Sequence, residues 1–163
     1  MELKKHLDLK IVFLVLYVFG FLGYLLYGLL PAEASRYPVD SYLIIPSINL
    51  LSDVSLVEPV DGNLPTPETT VGSYSTDANK KFLFGHSSTI FSDLDKVKIG
   101  DELIYADTYY RITSYNVYEK SDVNMSQILS SSSRKSLVLM TCAGEDYGNG
   151  DSSHRLIVSA ISL

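Results

Sequence analysis

A single cysteine, Cys142, stands in a chain of 163 residues. One thiol cannot close an intramolecular disulfide, so no disulfide scaffold holds this fold together. Cations are in the minority as well: 13 Lys and Arg face 19 Asp and Glu, a formal net charge of −6. That balance leaves no basic footprint for nucleic acid; it bears on solubility and on nothing sharper. No internal repeat or low-complexity tract is visible, and helical periodicity is scarce after residue 41. Charge is missing altogether from Ile11 to Leu30.

Ile, Leu, Val, Phe and Tyr dominate that charge-free run. At about 1.5 Å per residue it makes roughly 30 Å of helix, the thickness of a bilayer's hydrocarbon core. Residues 11–30 therefore read as a transmembrane helix, with Tyr24 and Tyr27 suited to an interfacial aromatic belt. Lys4, Lys5 and Lys10 precede the run; Arg36 alone follows it, with Glu33 and Asp40 nearby. Positive charge stays inside. Residues 1–10 are thus expected in the cytoplasm and the C-terminal domain outside, held at the cell membrane by a single pass. Ala32-Glu33-Ala34 offers a second reading, a cleaved signal peptide, although the apolar run exceeds the usual length of about 7–15 residues. Both readings export the rest of the chain.

Residues 31–41 read as a short tether with two prolines and no period, and residues 42–163 as the exported domain. Strand signals then follow closely: Tyr42 to Ile45, Val54 to Val60, Phe82 to Phe84, Glu102 to Ala106, Tyr109 to Tyr118, Leu137 to Met140 and Leu156 to Ile161. Asp107-Thr108 suggests a hairpin turn. Two short helices are expected, over Thr89–Val97 and Asn124–Leu129, the second capped by Asp122 or Asn124. Leu64 to Thr69 reads as a proline-stiffened loop. Many short strands with few helices predict a mainly β domain, a closed barrel or a sandwich.

Three residues of the exported domain could carry chemistry. His86 follows the apolar run Phe82–Phe84, Cys142 follows Leu137–Thr141, and Arg155 opens Leu156–Val158. Strand ends are where a rigid scaffold presents catalytic groups. Together the three suit acyl transfer: a thiolate attacks a carbonyl, an imidazole shuttles the proton, and a guanidinium holds an oxyanion or the substrate backbone. Each also has a plainer reading. Cys142 fits a small core side chain, His86 a polar strand end, and Arg155 a surface ion pair with Asp151 or Glu145. His154 adjoins Arg155 but sits by the Gly- and Ser-bearing loop 143–153, a less rigid place for a base. Glu145, Asp146 and Asp151 are hard oxygen ligands suited to calcium, yet no ordered calcium-loop spacing appears, so no cofactor is expected.

Val138-Leu139-Met140-Thr141-Cys142, Gly85-His86 and Arg155 at the head of the last strand resemble, in order and spacing, the motifs of the sortases. These are membrane-anchored cysteine transpeptidases of Gram-positive-type bacteria. Val138 departs from the threonine usual in the family at that position. Ile45-Pro46, Gly100-Asp101 and Phe91–Leu94 fit as well, and the resemblance runs from about Tyr42 onward. It implies a closed eight-stranded sortase β-barrel with one or two short helices. It also implies Cys142 as nucleophile, His86 as general acid/base, Arg155 as oxyanion or positioning group, and Thr141 in contact with substrate. The implied partners are surface proteins bearing a C-terminal Leu-Pro-x-Thr-Gly-like sorting signal, and an amine from a cell-wall precursor or a pilin lysine. The short tether speaks against an occluding lid. Rivals are another exported cysteine peptidase, which usually has Cys before His, and a tethered β-domain that only binds. The Ser-His-Gly-Cys-like motif of an L,D-transpeptidase is absent.

Overall fold

The structure, a computed structural model, describes residues 38–148 and 151–163 together with Tyr17. Tyr17 is helical; the rest of the expected membrane helix, and most of the tether, lie outside the described residues. The described residues form a closed barrel of eight strands. They are β1 (Val39–Ile45), β2 (Leu50–Leu56), β3 (Val71–Asp77), β4 (Lys80–Phe84), β5 (Glu102–Tyr105), β6 (Thr108–Glu119), β7 (Ser136–Asp146) and β8 (Ser152–Ser162). Around the barrel the order is β1-β2-β3-β4-β7-β8-β6-β5. All neighbours run antiparallel except β2 with β3 and β4 with β7.

The parallel pair explains the two most apolar runs. Leu83, Leu137 and Leu139 point into the barrel with Leu43, Val158 and Ala160. Their alternates Phe82, Phe84, Val138 and Met140 meet a second apolar cluster outside the wall, with Val57, Leu64 and Met125. Strands covered on both faces lose the apolar–polar alternation and read as continuous hydrophobic runs. β6 keeps it, with Tyr110 and Ile112 buried and Arg111 exposed between them.

Three local expectations change: the second strand, β2, runs Leu50–Leu56 and not Val54 to Val60, and the β5–β6 turn and the first helix differ as follows. The β5–β6 turn is Ala106-Asp107, one residue earlier than Asp107-Thr108. Both residues have positive φ (47° and 60°), the geometry of a two-residue hairpin whose twist matches the strands. The helix expected within Thr89–Val97 is a 3-10 helix confined to Leu94–Lys96, not an α-helix. Instead the chain makes three-residue turns, Ser92 N to Thr89 O, Leu94 N to Phe91 O and Lys96 N to Asp93 O. Buried Phe91, Leu94 and Val97 recur every three residues, the period of a 3-10 turn rather than of an α-helix. The second expected helix exists as α1 (Met125–Ile128), with the Asn124 side chain accepting from Gln127 N. β3 had no signal because Val71 is its one apolar residue in the barrel core and Gly72, Ser73 and Ser75 follow it. Ser73 donates to Ser55 O (3.3 Å), and Ser55 pairs with Thr70 through their hydroxyls (2.9 Å).

Candidate active site

Strand register brings the three chemical residues together. β7 and β8 pair antiparallel with Cys142 directly opposite Arg155, so the two side chains leave the same face as close neighbours. β4 and β7 pair in parallel with Phe84 beside Met140. Two steps further along both chains lie His86 and Cys142, and the pairing is carried past the strand end by Gly85 N to Met140 O (3.3 Å). Thr141 is buried, and its hydroxyl donates to the Gly85 carbonyl (2.8 Å). It thereby ties the residue before the nucleophile candidate to the residue before the base candidate.

The corner at His86 is fixed from the other side too. The His86 carbonyl accepts from Thr89 N (3.3 Å) and Phe91 N (3.0 Å), so the chain reverses immediately after the imidazole. Gly85 is required there, since a Cβ would run into the Ile90 side chain and come within 3.1 Å of the Phe91 ring. His86 Nε2 is shielded from solvent and has no hydrogen-bond partner among the described residues. Glu68 Oε1, on the loop after Pro67, lies 3.8 Å from it.

Arg155 is held by its own strand. Nη1 donates to the carbonyls of Ser152 and His154 (2.9 Å each), and Nη2 to Asp151 Oδ1 (2.7 Å). A guanidinium has five N–H donors; the Nε–H and one Nη2–H are left for an oxygen in front of it. Asp151 also pairs with Lys120. The Lys120 hydrogen bond first, then those from Arg155 and Ser152 N, hold the Asp151 carboxyl well below the usual carboxylate range. The ion pair and the chemistry-bearing position are thus one arrangement for Arg155.

His86, Cys142 and Arg155 all line one groove of about 490 Å³ on the outer face of the barrel wall. Its floor is Phe82, Phe84 and Met140, its walls the Pro59–Thr66 loop on one side and Met125 and Leu129 on the other. Phe82 and Phe84 stack at 5.3 Å, and Gly72 gives the Phe84 ring its place, since a Cβ there would lie 2.6 Å from it. The groove is thus apolar along its floor and polar where His86, Cys142 and Arg155 meet. The proline-rich stretch after Leu64 is therefore a groove wall, which its turn-like composition alone does not reveal. His154 pairs opposite Ala143, one step off the Cys142–Arg155 pair, and its Nδ1 shares a hydrogen bond with Ser153 Oγ (2.7 Å).

The sequence model of the family described as Sortase domain matches residues 43–162, almost the whole barrel. The chain belongs to the sortase family. Sortases are cysteine transpeptidases, and the solved structures that resemble this one are sortases too. A lid mutant of sortase A from Corynebacterium diphtheriae aligns with TM-score 0.61 and 22% identity, over 82% of this chain and 74% of that one. A sortase D5 transpeptidase from Clostridium perfringens aligns with TM-score 0.60 and 19% identity, over 80% and 83%. A lid mutant of sortase C1 from Streptococcus agalactiae gives TM-score 0.58 and 20% identity, over 77% and 69%. Identities this low speak for the fold alone. No curated protein sequence matches the chain significantly. Among the described residues of this sortase, no group of three or more His, Cys, Asp or Glu side chains is placed to hold a metal ion.

Proposed function

We propose that this sortase is a transpeptidase that cuts a Leu-Pro-x-Thr-Gly-like sorting signal and passes the acyl fragment to an amine. The observation that carries the reading is the register: Cys142 faces Arg155 across β7 and β8, and the β4–β7 pairing delivers His86 to the same groove. In this reading the Cys142 thiolate attacks the Thr carbonyl of the signal. The Nε–H and Nη2–H of Arg155 meet the developing oxyanion or the adjacent peptide oxygen. His86, as imidazolium, gives its proton to the departing amine as the C–N bond breaks. The thioester then waits on Cys142. Thr141, with its hydroxyl spent on Gly85 O, serves the substrate through its backbone and methyl and sets the distance between the His86 corner and Cys142.

The apolar floor suits the leucine and proline of such a signal, and the groove is open enough for an extended chain. The charge-free segment before the barrel supports a single-pass protein of the cell membrane, with this domain outside, where signal-bearing surface proteins and cell-wall or pilin amines meet. Incubation with a fluorogenic Leu-Pro-x-Thr-Gly peptide, followed by mass spectrometry of the intact protein, tests the proposal. The expected result is an acyl adduct on Cys142 that is discharged by added amine and is absent from Cys142→Ala. Cleavage that survives Cys142→Ala, or the lack of any adduct across a peptide library, would sink it.

A further inference from the structure

A second cavity reaches the same cysteine from its other flank. It measures about 340 Å³ and touches Thr141 and Cys142, as the peptide groove does, but its remaining walls differ: Ser87, Ser92, Asp95 and Tyr115 are among them. The groove carries His86 and Arg155 and no carboxylate. The second cavity carries a carboxylate and no Lys, Arg or His. Asp95 is fixed at the backbone: Leu94 before it is fully buried, and its carbonyl accepts from the Tyr115 hydroxyl (3.2 Å). Asp95 is exposed, and its carboxylate makes no direct hydrogen bond or ion pair among the described residues. The neighbouring Lys96 is paired with Asp93 at 2.8 Å and feels the Asp95 charge only as a weaker, longer-range attraction.

We propose that this cavity receives the acyl acceptor, a primary amine arriving as an ammonium group, with Asp95 as its counter-charge. The assignment rests on the thioacyl reading of Cys142 above. While the thioester stands, the acyl chain fills the groove, and a nucleophile following it in would have to displace it. Arg155 also repels an ammonium there. The acidic cavity attracts the ammonium and opens on the thioester from the free flank. The ammonium loses one proton to solvent, and its lone pair forms the new C–N bond as the C–S bond breaks. The second proton passes to His86 and the sulfur departs as thiolate, which restores the starting state. Ser87 and Ser92 offer hydroxyl oxygens to the incoming N–H groups.

Competition between nucleophiles for one intermediate tests this, because the ratio of products depends on neither the acylation rate nor the folded fraction. The protein is loaded with a sorting-signal peptide in the presence of hydroxylamine, which is uncharged at neutral pH. Either triglycine or Nα-acetyl-lysine amide competes with it. Asp95→Asn is expected to shift the ratio of amide to hydroxamate about two- to fivefold toward hydroxamate. That is the range for a partly screened charge pair, and the shift should shrink with added salt; Asp95→Glu restores the wild-type ratio. A shift for triglycine alone identifies a peptide N-terminus as acceptor, for the lysine derivative alone a side-chain amine, and for both an ammonium site blind to its source. An unchanged ratio for both amines overturns the assignment. A wild-type protein that forms no hydroxamate at all fails one step earlier, at the thioacyl reading.

Discussion

The two flanks of Cys142 are built from the same strands and differ in almost everything else. On one side β4, β7 and β8 present His86, Arg155 and an apolar floor; on the other the turns after His86 and the middle of β6 present hydroxyls and one carboxylate. The peptide side is bound to the barrel register. Moving Arg155 or His86 out of place requires breaking the β7–β8 or β4–β7 ladder. The acidic side rests on three-residue turns, which change shape at lower cost. The two sides meet at the His86 corner, whose carbonyl is held by the first of those turns. On the proposed reading the ladders position the donor while the turns line the path of the acceptor.

The strongest break in this symmetry is Arg155→Ala. On the proposed reading it removes the oxyanion donor from the peptide side alone, and it is expected to slow acylation about 10²–10³-fold. The amide-to-hydroxamate ratio should stay where it was, read from single-turnover acylation and product partition. A change in the ratio as large as the change in rate would merge the two flanks into one. Thr141→Val comes next because it sits between them. The Gly85 carbonyl loses a buried donor, which costs about 1–3 kcal/mol of stability in denaturant titration. Both acylation and transfer should slow together as the His86 corner drifts from Cys142.

Asp151→Asn sharpens the peptide side further. Arg155 keeps its two backbone carbonyls but loses the charge-assisted partner, and a fall of about three- to tenfold in kcat for cleavage is expected. The pH sign is fixed by the direction of the shift. A carboxyl held below its usual range contributes fully above that range and loses its contribution only as pH falls through the lowered value. From about pH 5 to 8 the wild-type and Asp151→Asn profiles should therefore run parallel. An extra inflection of the wild type within that window would mean that Asp151 does not hold Arg155 as an ion pair.

The same contrast explains what was legible in the sequence. His86 follows the end of β4, while Cys142 and Arg155 lie inside β7 and β8. Those strands run on to Asp146 and start at Ser152, further than their apolar residues show. The hydrophobic runs still stop or start beside all three, and so point at them. The barrel was legible through those runs and through the Tyr- and Ile-rich β6. β3 was not, because Ser55, Thr70 and Ser73 satisfy one another inside the wall and leave no apolar pattern. Asp95 and Tyr115 lie twenty residues apart and meet only because β6 passes the Leu94 turn; no local motif marks such a pair. The groove walls from Pro59 to Thr66 and from α1 were equally hidden, since turn composition reads as loop whether or not a ligand lies against it.

The smallest effect is expected at Glu68. Its carboxylate lies 3.8 Å from His86 Nε2 and is largely exposed, and its own carbonyl accepts from Thr89 Oγ1 (3.4 Å), beside the His86 corner. An exposed pair at that distance is worth under about 1 kcal/mol. Glu68→Gln should therefore lower kcat for cleavage no more than about fivefold, and raising the salt concentration should close the gap. His86 serves both half-reactions, so acylation and transfer should fall by the same factor and the amide-to-hydroxamate ratio should not move. A loss confined to peptide KM would instead make Glu68 part of the groove wall, acting on the peptide and not on the imidazole. A loss confined to the amine product would place its influence on the acceptor flank, and the division of labour across Cys142 would have to be redrawn.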